Sequence, residues 1–330
     1  MNATLQNTHA VTEATFQPRS RGFDLDRNEF GSLADSSALL GQPDLLRQKL
    51  EEDGYLFLPN FLNKEDVLAA RKVVTDRLME GGFLDETQPA DEAIAKDIKI
   101  ANGHSAFRPS GEANSLKTYN PDNLTENNQP LLDLIYEGKL KHFYESFFGR
   151  PARHLNYTWF RAVGPGMGTP PHCDRVYMGR GTKNLFTTWV PIGDAPFRVG
   201  GLMILENSHK QADRLGNYLS RDVDVYCENG KNAEKLKSGE MQHEWDGSLT
   251  KNPFSLREKL GGRWLTADYR AGDILIFTMQ TVHASLDNQS RQVRLSADFR
   301  YQPADEPIDE RYAVEKPVPY SRDFKKGRIC

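Results

Sequence analysis

The chain has 330 residues, with 42 Lys plus Arg against 46 Asp plus Glu, a formal net charge of −4. That balance offers no basic stripe to nucleic acid, while 38% hydrophobic residues, with 17 Phe and 12 Tyr, suffice for a packed core. No run of 18 apolar residues exists, which excludes a helical membrane span, and three scattered cysteines do not form a disulfide framework. The polar segment 1–21 has no apolar signal stretch, so a reducing, cytoplasmic location is the expectation.

Residues 1–40 are polar and weakly patterned and read as a flexible N-terminal arm. Pro43 opens a short helix carrying Leu45, Leu46 and Leu50, and Gly54 stops it. Tyr55 to Leu58 reads as a strand. Asn63 caps a second helix whose apolar positions Val67, Ala70, Val74 and Leu78 follow one face. Residues 83–128, rich in Asp, Asn, Pro and Gly, read as loop, and Leu131 to Phe148 as one further helix.

After Pro151 the texture changes to short runs rich in β-branched and aromatic residues. These are Arg153–Val163, Leu185–Ile192, Leu202–Leu205, Trp264–Tyr269, Ile274–Met279 and Val293–Gln302. Strands without alternating helices predict an antiparallel sandwich or barrel. A charged stretch, 211–262, reads as an insertion, and 303–330 as a surface-draped tail. One domain is therefore expected over 41–302, mainly β with flanking α.

The sharpest chemical feature is His172-Cys173-Asp174. Residues two apart on a strand point the same way, so the imidazole and the carboxylate converge while Cys173 faces away. Non-haem Fe(II) oxygenases bind metal with two His and one carboxylate, leaving open positions for co-substrate and O₂. His283, directly after the apolar strand Asp273–Met279, is the best candidate for the second imidazole. His9, His104, His142, His154, His209 and His243 have poorer settings. Farther on, Val293–Arg300 alternates strictly, with Arg294, Ser296, Asp298 and Arg300 on one side. Arg294 is suited to a dicarboxylate because a guanidinium pairs bidentately and stays charged.

His172-x-Asp174, then His283, then Arg294, with Gly272-Asp273-Ile274-Leu275-Ile276-Phe277 leading to the distal His, resembles the phytanoyl-CoA dioxygenase family. Segments Glu52–Leu56 through Leu62, Trp189–Asp194 and Gly200–Lys210 share the likeness, which runs from about residue 45 to 302. The resemblance implies a double-stranded β-helix with supporting helices. It implies Fe(II) on His172, Asp174 and His283, with 2-oxoglutarate as co-substrate beside O₂. It further implies 2-oxoglutarate contacts from Arg294, Ser285, Trp189 and Lys117.

The implied reaction is hydroxylation of a small molecule, with release of succinate and CO₂. Asp174 argues against halogenation, since related halogenases keep a small residue at that ligand position to admit halide. The 211–262 insertion enlarges the family's usual gap between the ligands. Two other readings are a cupin-like metalloenzyme that does not use 2-oxoglutarate, and a silent binding module on the same scaffold. The first has no need of Arg294, and the second no reason to keep His172, Asp174 and His283 together.

Overall fold

The computed structural model describes residues 16–96, 124–125, 127–228, 231–238, 240, 245–313 and 318–319. Strands β1 (Arg19–Ser20), β2 (Phe23–Asp24) and β3 (Phe30–Ser32) come first. Helix α1 (Pro43–Asp53), strand β4 (Tyr55–Leu58) and helices α2 (Lys64–Glu80), α3 (Gln129–Tyr136) and α4 (Gly138–Phe148) follow. Next are β5 (Ala152–His154), β6 (Tyr157–Val163), β7 (Phe186–Pro191) and β8 (Leu202–Leu205). Helices α5 (Ala212–Leu219), α6 (Val223–Glu228), α7 (Ala233–Lys237) and α8 (Pro253–Leu260) fill the insertion. The chain continues as β9 (Trp264–Thr266), β10 (Ile274–Thr278), β11 (His283–Ser285), β12 (Arg294–Pro303) and β13 (Val318–Pro319).

Two sheets face each other as a double-stranded β-helix. Among the described residues, the larger runs β13-β6-β12-β7-β10-β4, with β5 also on β12, and the smaller runs β11-β8-β9-β3. Trp189, Leu275 and Phe277 of the larger sheet pack between the sheets against Leu202, Ile204 and Leu265 of the smaller. The larger sheet's outer face, with Val190, Ile276, Phe299 and Tyr301, is covered by α1 to α4. Strand β10 is apolar on both faces and reads as an apolar run, whereas β12 alternates because its inward face carries Arg294, Ser296, Asp298 and Arg300.

Several local readings hold. Asn63 caps α2 through its side chain, accepting from the Glu65 and Asp66 amides, and Val67, Ala70, Val74 and Leu78 are buried. Gly54 ends α1 at φ 79°, and a Cβ there would lie 2.3 Å from His209 Nδ1, so both conformation and space demand glycine.

Other readings are corrected. Segment 131–148 is two helices, because Glu137 is extended and Gly138 has φ 59°. The arm is not loose from residue 16 onward. Arg21 and Gly22, both at positive φ, turn β1 into β2. Their amides donate to the Asp287 carboxylate at 2.7 and 2.8 Å, and β3 pairs in parallel with β9. These elements are two or three residues long and are held by partners more than 200 positions away, which local periodicity cannot reveal. The tail is likewise not merely draped: Arg311 and Tyr312 are buried, and β13 pairs with β6.

The insertion has a structural task. Leu215, Tyr218, Leu256 and Leu260 pack on Met203, Leu205, Trp264 and Ala284, the outer face of the smaller sheet. No helix among the described residues is long and apolar enough to cross a membrane.

Candidate metal centre

His172 and His283 are brought together by the backbone. Each donates its amide to the other's carbonyl at 3.0 Å, forming an isolated antiparallel bridge. His283 begins β11, opposite Ile204, so its ring shares the inward face. The preceding apolar strand, β10, belongs to the other sheet, and Met279–Val282 carries the chain across. Asp174 opens a short 3₁₀ turn, Asp174–Val176.

The donor atoms of His172, Asp174 and His283 lie within 4.8 Å of one another, the one such metal-capable group among the described residues. Asp174 Oδ1 is 3.6 Å from His283 Nε2 and 3.9 Å from His172 Nε2. Each imidazole is aimed from behind: His172 Nδ1 bonds the Pro170 carbonyl at 2.8 Å and His283 Nδ1 the Thr281 carbonyl at 3.0 Å. A carbonyl only accepts, so Nδ1 carries the hydrogen and the Nε2 lone pair faces the centre.

Electrostatics agree with a set of ready ligands. Burial, then the neighbouring His283, pushes His172 down to about 3. Burial also lowers His283. For Asp174, burial alone would raise the pKa, but Arg300, both histidines and the Thr187 hydroxyl outweigh it and hold the carboxyl below the usual range. Neutral imidazoles beside an ionised carboxylate are what a divalent cation requires.

Arg294 is buried on the inward face of β12, paired in register with Val163. It donates to the Gly200 carbonyl, while its Nε has no partner; Ser296 Oγ on the same face has none either. Burial, then Arg161, lowers Arg294 to about 10. Two orphaned buried polar groups, one a cation, fit an incoming carboxylate. Ser285 shares the inward face with His283, and its Oγ accepts the Thr169 amide at 2.7 Å. Trp189 packs against Tyr269 at 4.6 Å between the sheets. Lys117, like His9, His104 and His243, lies outside the described residues. Cys173 points away into the apolar cluster under the insertion, where burial raises its thiol pKa.

Two residues near the centre escaped the sequence reading. Arg300 Nη2 donates to Asp174 Oδ2 at 2.6 Å, and Thr187 Oγ1 donates to the same oxygen. The strict alternation of β12 had already placed Arg300 on the Arg294 side. Nothing marked Thr187, which reaches Asp174 only through the pairing of β7 with β12.

The insertion braces the ligand loop. Tyr218 Oη accepts the Cys173 amide at 2.9 Å and donates to the Gly247 carbonyl at 2.7 Å, and the Leu249 amide reaches the Pro171 carbonyl at 2.8 Å. After the ligands come the cations Arg175, Arg180 and Lys183, of which Arg180 pairs with Asp222 at 2.8 Å. Arg175 and Lys183 line a cavity of 480 Å³ with Phe147, Phe148, Phe186 and Met279. None of the three candidate ligands lines it.

The family model for phytanoyl-CoA dioxygenase (PhyH) matches residues 50–296. The 1-deoxypentalenic acid 11-beta-hydroxylase of Streptomyces arenae is 25% identical over 288 residues, covering 83% of this chain and 86% of that protein. Its counterpart from Streptomyces exfoliatus is 25% identical over 280 residues, covering 82% and 84%. Among solved structures, EctD from S. alaskensis with 2-oxoglutarate and 5-hydroxyectoine is 15% identical, with a TM-score of 0.48 over 95% of this chain and 92% of that one. The epimerase SnoN, in complex with Fe3+, alpha ketoglutarate and nogalamycin RO, is 17% identical, with a TM-score of 0.48 over 86% and 98%.

Proposed function

Because the chain belongs to the phytanoyl-CoA dioxygenase family and is an Fe(II)- and 2-oxoglutarate-dependent oxygenase, we propose that it hydroxylates a small-molecule substrate at a centre formed by His172, Asp174 and His283. The convergence of those three donor groups on one point carries this reading. Arg294 and Ser285, each on an inward face, receive the far carboxylate of 2-oxoglutarate, and the partnerless Nε of Arg294 supports that role. Trp189 forms part of the wall, and Lys117 is retained as a co-substrate contact to be tested by substitution.

Iron and 2-oxoglutarate, when bound, supply the activation of O₂ coupled to decarboxylation to succinate and CO₂. The chain's own residues supply the rest. Pro170 and Thr281 carbonyls fix the imidazole tautomers, and Arg300 with Thr187 turns one oxygen of Asp174 away from the histidines. All three groups are buried, which limits the contact of bulk water with them. That the relatives act on 1-deoxypentalenic acid supports a small organic substrate here as well.

The test is succinate release by the full-length protein with Fe(II), 2-oxoglutarate and O₂, screened over a metabolite library. Wild type should release succinate faster with its substrate, and His172→Ala or Asp174→Ala should release none above background. A wild-type protein with no Fe(II) affinity and no succinate release would refute the reading.

A further inference from the structure

On the assignment of Asp174 as a metal ligand, we propose that Arg300, together with Thr187, is a positioning residue that confines Asp174 to coordination through Oδ1 alone, so that a metal position stays open. A carboxylate has lone pairs on both oxygens and can clasp a cation with the two at once. Two histidines and a one-oxygen carboxylate leave three of six positions for 2-oxoglutarate and O₂. A carboxylate binding through both oxygens would take one of those three.

The two oxygens of Asp174 are treated differently. Oδ1 faces the imidazoles, 3.6 and 3.9 Å from their Nε2 atoms. Oδ2 accepts from Arg300 Nη2 at 2.6 Å and from Thr187 Oγ1. Thr187 is fully buried and Arg300 is 3% exposed, so water does not compete for that oxygen.

The aim of Arg300 is fixed in turn. Its Nε donates to Thr187 Oγ1 at 3.2 Å, so the hydroxyl hydrogen is left for Asp174. Its Nη1 donates to the Asp298 carbonyl at 3.3 Å. Its guanidinium lies 4.1 Å from the ring centre of Trp159. A planar fork can serve a carboxylate, a hydroxyl and a carbonyl at once, whereas a lysine ammonium in that place keeps the charge but loses the geometry.

The experiment uses full-length protein loaded with Co(II), whose visible spectrum reports the number and type of ligands, and titrates it with 2-oxoglutarate. For Arg300→Leu, the cobalt bands should shift as Oδ2 joins the metal. 2-Oxoglutarate should then bind about 10-fold more weakly, taking as a guide the low end of the loss in metal affinity or activity that follows removal of an outer partner. Arg300→Lys should fall between Arg300→Leu and wild type. Thr187→Val, nearly the same shape, should show a smaller change in the same direction and serves as the test if Arg300→Leu does not fold. Wild-type cobalt spectrum and wild-type 2-oxoglutarate affinity in Thr187→Val and in folded Arg300→Leu would overturn the proposal and leave the pair a purely structural role. A wild-type protein that takes up no Co(II) would instead overturn the metal assignment on which the proposal rests.

Discussion

Replacing Arg294 with Met should have two effects of opposite sign. The guanidinium is buried, its Nε has no partner, and its pKa sits at about 10 instead of 12.5. At about 1.4 kcal/mol per pKa unit, the charged form is disfavoured by about 3 kcal/mol before any co-substrate arrives. Met is close in length and apolar, so the substitution removes that penalty. It also removes the donor to the Gly200 carbonyl, and an orphaned buried acceptor costs about 1–3 kcal/mol. The difference is about 0–2 kcal/mol in favour of Arg294→Met, so without 2-oxoglutarate the variant should unfold at or above the wild-type temperature.

With 2-oxoglutarate the order should reverse. A charge-assisted contact is worth about 1.5–3 kcal/mol, which corresponds to about 10–150-fold in affinity. Calorimetric titration of the Co(II)-loaded protein measures that loss directly, without turnover, and thermal scans with and without 2-oxoglutarate measure the stability reversal. If Arg294→Met binds 2-oxoglutarate with wild-type affinity, the assigned role fails. If it is much less stable than wild type when free of co-substrate, the desolvation argument fails.

Three other outcomes are expected. Arg311 is buried with Asp309, Asp224 and Asp222 at 2.6, 2.7 and 3.3 Å, so Arg311→Ala should cost about 3–5 kcal/mol in urea unfolding by leaving buried carboxylates uncompensated; a loss under about 1 kcal/mol would contradict the buried-charge argument. His172, neutral when folded down to about 3, takes up a proton on unfolding at any pH below its ordinary 6.5. Metal-free protein should therefore lose stability as pH falls from about 6.5 toward 3, by at most about 1.4 kcal/mol per unit from this residue, and His172→Gln should flatten the dependence; equal slopes would count against it. Cys173→Ala should leave the Co(II) spectrum unchanged, because the thiol faces the apolar cluster under the insertion; a lost thiolate band would show the strand-parity reading to be mistaken.

The legible parts of this molecule were those written at short range. Capping by Asn63, the stop at Gly54 and the inward stripe of β12 all depend on residues within a few positions. The candidate ligands were legible as a His-x-Asp pair and a later His that follows the apolar run of β10, although His172 lies on an isolated bridge and Asp174 in a 3₁₀ turn, not on a strand. What escaped depends on pairing across the chain. The hairpin at residues 19–24 exists because Asp287 accepts the amides of Arg21 and Gly22, and β3 because β9 offers it an edge. Thr187 is an ordinary strand residue until β7 is laid against β12 in register.

That register links the helical layer to the candidate metal centre. On β7 and β12, Thr187 and Arg300 are directly paired and face inward to Asp174, while their neighbours Thr188 and Tyr301 face outward. A slip of one residue would exchange these sets and remove both groups that hold Asp174 Oδ2. The outward set prevents the slip: Tyr144 Oη shares a hydrogen bond with Thr188 Oγ1, and its ring stacks on Tyr301 at 4.4 Å. Tyr301 Oη also donates to the Ile135 carbonyl at 3.1 Å. Buried polar pairs of this kind are satisfied in only one register, so they specify it more strictly than apolar packing does. The helices α3 and α4, which supply no candidate ligand, thereby determine which side chains of the sheet reach the candidate metal centre.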